Sequence, residues 1–237
     1  MSRSRRQYPD KLQELINLWW VEAGRYNALP LENRGVVEIL GTERPQIAKP
    51  RNRYVFYPGT AEVPESVAPN IRNRSYTVAV EVDVHSSDAS GVLFSHGARF
   101  GGHALYVKDG KLKYVYNWVG MLEQIVESTE TIPTGHVVFS ASFAREGDSM
   151  PSEGTLTLHF GDRTVGEGRI KTQPGKFSLG GEGLNVGKDT AEPVTDDYSG
   201  TSPWPFIGGT IIKAVVDVSG TPFVDLAEEA RMAFGRD

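Results

Sequence analysis

The chain has 237 residues, of which 39% are hydrophobic and 23% charged, with a formal net charge of −5 and no cysteine. A chain of this size buries a full core without covalent staples, and the absence of thiols excludes disulfides, thiolate catalysis and cysteine-ligated zinc. The negative balance argues against recruitment of phosphate backbones, so no nucleic-acid partner is expected.

Residues 1–10 lack the apolar segment of a signal peptide. No apolar run approaches the ~18 residues of a membrane span. A cytoplasmic location and no membrane partner are therefore expected. Pro9 to Ala28 reads as a helix. Pro9 suits the first turn, Asp10 sits where the helix dipole favours an acid, and the first glycine is Gly24. Leu12, Leu15, Ile16, Trp19 and Ala23 recur at helical spacing, with Leu18 and Trp20 widening the stripe. Leu12, Leu15, Trp19 and Trp20 are the residues expected to dock this helix on a larger body.

Prolines 30, 45, 50, 58, 64 and 69 break up the next stretch. We assign residues 1–44 to a helical segment and 45–74 to an irregular linker with one short extended piece at Tyr54 to Tyr57. From 75 to 219 the pattern has period two, as half-buried strands require. "YTVAVEVDV" places Tyr76, Val78, Val80, Val82 and Val84 on one face. "VVFSASF" and "TLTLHF" alternate likewise, and "TIIKAVVDV" would turn Ile212, Ala214, Val216 and Val218 inward. Strands with one apolar face belong to antiparallel sheets over a core. The expected fold is mainly β: an antiparallel jelly-roll sandwich with the N-terminal amphipathic helix and a short helix within 220–237, from about Asp225 to Phe234.

Asp109-Gly110 is a strong hairpin signal, since a type I′ turn needs two residues at positive φ. That turn sets Lys108 opposite Lys111, Val107 opposite Leu112, Leu105 opposite Tyr114 and His103 opposite Tyr116. The face carrying His103 is apolar, so His103 reads as an inward histidine held by a hydrogen bond. Lys108, Lys111 and Lys113 decorate the other face. "ARFGG" is a loop without the spacing of a phosphate cradle. Arg99 in this loop and His96 just before it could contact a partner or an anion, against the plainer reading of a solvated loop arginine.

Three further groups of residues carry candidate chemistry. Glu81, Asp83 and His85 share a strand face, which reads first as the solvated side of an outer strand. Sandwich glycosidases place paired carboxylates on such a strand, but the third carboxylate is replaced by Ser86. "GKDTAEPVTDDYSG" reads first as a solvated acidic loop. If it held a cation, that cation would be calcium, with Asp189, Asp196 and Asp197 as ligands. "SPWPFIGG" sets Trp204 and Phe206 between prolines, where Trp204 could stack on a sugar or plug the sandwich edge.

The strings "YPDKLQELINLWWVEAGRYNALPL", "RYVFYPGTAEVPESVAPNIRNRSYTV", "GVLFSHGARFGGHALYVKDGKLKYVYN", "TQPGKFSLGGEGLNVGKD" and "FIGGTIIKAVVDVSG" together resemble the C-terminal region of bacterial arylsulfatases. The resemblance covers about Tyr8 to Asp237. It implies a concanavalin A-like or laminin-G-like sandwich beside the end of a sulfatase catalytic domain. The family's nucleophile comes from a Cys/Ser-x-Pro-x-Arg motif. The nearest counterpart is Ser149-Met150-Pro151-Ser152-Glu153, with Glu153 where the motif has arginine. The chain alone is therefore expected to be inactive, with no catalytic residue assigned. Its expected role is that of an accessory domain, with a sulfatase catalytic domain or subunit, or a second copy, as partner. The alternative is a lectin-like module that stands alone and uses the Glu81/Asp83 face or Trp204.

Overall fold

A computed structural model describes residues 8–25, 51–65, 67–149, 151–173, 182–190 and 192–219. The chain divides into two compact units, Met1–Pro45 and Gln46–Asp237. In the first, Pro9–Arg25 forms helix α1. Asp10 lies in its first turn and Arg25 in its last, each at the helix end whose dipole it complements. Lys11 pairs with Glu14 at 2.6 Å along the helix surface. Trp19 and Trp20 meet edge to face, their ring centroids 4.8 Å apart. Ala23 is buried and Leu12 half-buried, while Leu15, Trp19 and Trp20 are exposed. The last residues assigned to this helix from the sequence, 26–28, and the C-terminal helix lie outside the described residues.

The second unit is a sandwich of two antiparallel sheets. In chain order its strands are β1 (Arg53–Phe56), β2 (Tyr76–Val84), β3 (Gly91–Ala98), β4 (Gly101–Lys108), β5 (Lys111–Trp118), β6 (Leu122–Thr131), β7 (Gly135–Glu146), β8 (Ser152–Phe160), β9 (Arg163–Thr172), β10 (Leu184–Val186) and β11 (Gly209–Asp217). One sheet runs β1-β11-β2-β7-β8-β9, the other β10-β3-β4-β5-β6. Thus β1, within the stretch read as linker, is an edge strand paired with β11.

The core lies where the two inner faces meet. Val78, Val80 and Val82 of β2, Phe139 of β7 and Leu156 and Leu158 of β8 oppose Phe94, Leu105, Leu112 and Tyr114 from the second sheet. The β4–β5 hairpin has the expected register throughout, with Asp109 at φ 52° and Gly110 at φ 69°. One strand departs from its expected phase. A bulge between Ile211 and Lys213 turns Ile211 inward and leaves Ile212 exposed, while Ala214, Val216 and Val218 stay inward. A bulge adds one residue to one strand and so shifts the alternation by one.

A second, smaller apolar cluster sits outside the five-stranded sheet. Val92, Ala104, Tyr106 and Val115 point away from the main core, and Val194, Tyr198 and Trp204 close over them. Residues 192–206 thus form a strap across that sheet's outer face. Asn117 donates to the Val194 carbonyl at 2.9 Å and the Val92 amide donates to the Trp204 carbonyl at 3.2 Å.

Candidate functional site

Most residues singled out in the sequence hold the sandwich and its strap together. His96 and His103 face inward and are cross-strand partners. The Tyr114 hydroxyl lies 2.9 Å from His103 Nδ1 and 2.7 Å from the Tyr76 hydroxyl. Burial holds both imidazoles neutral: desolvation drives His96 down to about 3, and His103 well below the usual histidine range. His96 is therefore a core residue rather than part of a loop contact. Arg99 is half-exposed and grips Asp196 with two hydrogen bonds, at 2.9 and 2.6 Å, with Glu192 at 3.4 Å.

The acidic residues in and just before the strap point to different partners. Asp197 accepts from the Tyr106 hydroxyl at 2.8 Å, from Lys108 at 2.6 Å and from Lys113 at 3.1 Å. Burial alone would raise its carboxyl, but Lys108, Tyr106 and Lys113 hold it below the usual range. Asp189 is buried and accepts from the backbone amides of Thr190 and Val194, at 2.9 and 3.0 Å. Desolvation outweighs those bonds and pushes its carboxyl up to about 6. Among the described residues, no group of three or more histidine and carboxylate side chains is arranged to hold a metal ion. Trp204 is half-buried and packs on Tyr198 at 5.7 Å, as part of the apolar cluster under the strap. Ser152 is buried at the start of β8, where it accepts from Arg145 Nε at 3.1 Å.

The outer face of the six-stranded sheet carries a different arrangement. Strand register places it in three rungs. One rung aligns Arg53, Asp217 and Thr77; the next aligns Val215 and Ala79; the third aligns Lys213, Glu81 and Val138. Together these residues line a depression of about 190 Å³. Lys213 meets Glu81 at 2.7 Å, and Arg53 lies 3.7 Å from Asp217. The Glu81 contact holds the Lys213 ammonium above its usual range. The Asp217 carboxyl is held low, first by its hydrogen bond from Ser219 and further by Arg53 and Arg74. His136 of β7 extends the line, with Nε2 3.4 Å from Glu81 and Nδ1 2.9 Å from Asp83. The imidazole that joins the two carboxylates is thus His136 from the neighbouring strand. His85 lies beyond the end of β2.

Of the residues that line the depression, only Glu81 stood out in the sequence. Arg53, Lys213 and Asp217 are separated from it by long stretches of chain, and only the β1–β11–β2 pairing brings them together. The available signal was the polar alternation of "TIIKAVVDV", whose Lys213 and Asp217 fall on one side.

No protein-family profile matches the chain, and comparison with curated proteins finds no match. Solved structures give distant likenesses. A Ruminococcus gnavus sialidase module, CBM40 bound to α2,3-sialyllactose, is 16% identical, with 68% of this chain and 83% of that chain covered, at TM-score 0.43. Caenorhabditis elegans galectin LEC-6 is 12% identical over 72% of this chain and 99% of that one, at TM-score 0.39. Domains LG4-5 of the mouse laminin α1 chain are 10% identical over 72% of this chain and 40% of that one, at TM-score 0.40. Superpositions of this quality assign no ligand and no site, and none of these comparisons links the chain to sulfatases.

Proposed function

We propose that the sandwich is a lectin-like binding module that takes a glycan on the outer face of its six-stranded sheet. The observation that carries this reading is the depression between two charged pairs. Its middle rung, Val215 and Ala79, is small and apolar, and both flanking rungs carry donors and acceptors. A sugar ring presents the matching chemistry: C–H faces that bury against small apolar side chains and hydroxyls that hydrogen-bond at its rim. Charge-assisted hydrogen bonds are about twice as strong as neutral ones. The opposite sheet face is closed by the strap.

The test is a glycan array probed with the full chain and with a Glu81→Ala/Lys213→Ala double variant. The wild-type chain should mark a coherent set of glycans, and the double variant should lose at least tenfold in signal. Equal signal from both proteins, or none from either, would overturn the reading.

A second reading is favoured by the long strings that resemble arylsulfatases and by the separate N-terminal unit with exposed Leu15, Trp19 and Trp20. In it the chain is the accessory domain of a sulfuric ester hydrolase, and α1 docks on the catalytic partner. Leu15→Glu/Trp19→Glu should then abolish co-purification with a sulfatase catalytic subunit and leave the glycan-array signal unchanged.

A further inference from the structure

We infer that the depression selects a neutral pyranose over an anionic sugar. The inference rests on the glycan-binding reading above and concerns the same rungs.

The first argument is charge. The ionisable side chains that line the depression are Arg53, Lys213, Glu81 and Asp217, two positive and two negative. Each cation already faces a carboxylate, Lys213 at 2.7 Å and Arg53 at 3.7 Å. A sugar carboxylate or sulfate that approached Lys213 would meet Glu81 within the same contact shell. To bind, it would have to displace Glu81 or endure like-charge repulsion beside it. The same holds at Arg53 and Asp217. An uncharged hydroxyl has no such conflict. It donates to the carboxylate and accepts from the ammonium or guanidinium of the same pair, so each pair serves a vicinal diol without being broken.

The second argument is size. Four residue steps separate the charged rungs along β11 and β2, a distance of about 13 Å between backbones at ~3.3 Å per residue. The charged side chains of both rungs line the same depression, with Val215 and Ala79 between them as the floor for a ring. The volume of about 190 Å³ fits one monosaccharide residue. Val55, the β1 partner of Val215 and an exposed residue, continues the apolar rung to the free edge of the sheet. A longer glycan would leave the depression in that direction.

The test is a titration of the full chain, methyl-labelled on valine and alanine, followed by NMR. The ligands are methyl galactopyranoside, its 6-O-sulfate, and the methyl glycoside of N-acetylneuraminic acid. The neutral sugar should shift the Ala79, Val138 and Val215 methyls saturably, and the two anions should bind at least tenfold more weakly. Glu81→Gln, which keeps the shape of the side chain and leaves Lys213 without its counter-charge, should narrow or reverse that ratio. A sulfated or sialylated sugar that shifts the same methyls more tightly than the neutral one in the wild-type chain would overturn this inference and leave the glycan-binding site standing. If no sugar moves these methyls, both fall.

Discussion

Tyr114 shows how a single side chain governs the interior. Its hydroxyl bridges the Tyr76 hydroxyl and His103 Nδ1, and all three residues are buried. Tyr114→Phe should cost about 2 kcal/mol, because it leaves polar atoms on two buried neighbours short of a partner. Tyr76→Phe should cost less, since Tyr114 keeps His103. Urea unfolding of both variants gives the order, and a reversed order would refute the bridge. The same cluster sets an acid limit. His96 titrates at about 3 when folded, His103 also lies far below its ordinary value of 6.5, and both protonate near 6.5 once unfolded. Their depressed values give stability that is present above pH 6.5 and is lost as the pH falls toward the folded values. Asp189 acts in the opposite sense. Raised from 3.8 to about 6, it gives stability that is present below 3.8 and is lost as the pH rises through 6. Between pH 6 and 4 the unfolded chain gains two histidine protons and the folded chain holds one on Asp189. The two histidines outnumber the one opposing carboxyl, and carboxylates held low by their partners, such as Asp197 and Asp217, add to the same sense, so stability should fall as the pH is lowered from 6 to 4. Asp189→Asn removes the opposing group, so the fall in stability should be steeper in that variant than in the wild-type chain. Unfolding free energies measured between pH 4 and 6 check both slopes, and a flat profile would rule out buried neutral histidines.

At the scale of elements, the hairpin was legible because Asp109-Gly110 specifies its turn, and the turn specifies every opposing pair. The bulge at Ile211 was not legible, because both phases of "TII" put an isoleucine inward and only the pairing with β2 chooses between them. The strap was missed for a different reason. Lysines at 108, 111 and 113 suggested a solvated face, yet β4 and β5 are largely buried on both sides, the mark of strands covered twice. Val92, Ala104, Tyr106 and Val115 needed a cover, and Asp197 fastens it through Lys108, Lys113 and Tyr106. Asp197→Asn should therefore loosen the strap at a cost of about 2 kcal/mol, below the figure for a fully buried pair because these side chains keep some solvent. The measurement is faster amide exchange at Val92 and Val194, with exchange in the main core unchanged. The seam between the two sheets gives a second check. β6 and β9 approach so closely that a Cβ on Gly166 would stand 2.6 Å from the Glu127 carbonyl oxygen. Gln124 ties the two strands through both ends of its amide, at 2.9 and 2.7 Å from the Lys171 backbone. Gly166→Ala must push one backbone aside and should destabilise by about 2 kcal/mol, as overpacking does.

For the whole molecule, alternation along the strands reveals a sandwich before any coordinates, because period two is local and each strand reports its own inner face. The depression was only partly legible. Glu81 is visible as a carboxylate on an outer face, but its value as a ligand contact depends on Lys213 and Arg53, which arrive through strand order. That order depends on β1 and β11, from opposite ends of Gln46–Asp237, and the described residues of the main core cluster all lie within the same unit. A chain shortened to residues 46–237 should thus fold alone, unfold in one cooperative transition and keep the Tyr114 network and the sheet-face depression. The reason is that hydrophobic burial supplies most of the driving force, and the described residues that form this core all lie at residue 54 or later. Calorimetry and methyl spectra of the shortened chain check this directly. A transition that broadens, or core methyl shifts that collapse toward random-coil values, would mean that the first unit is required for the second to fold.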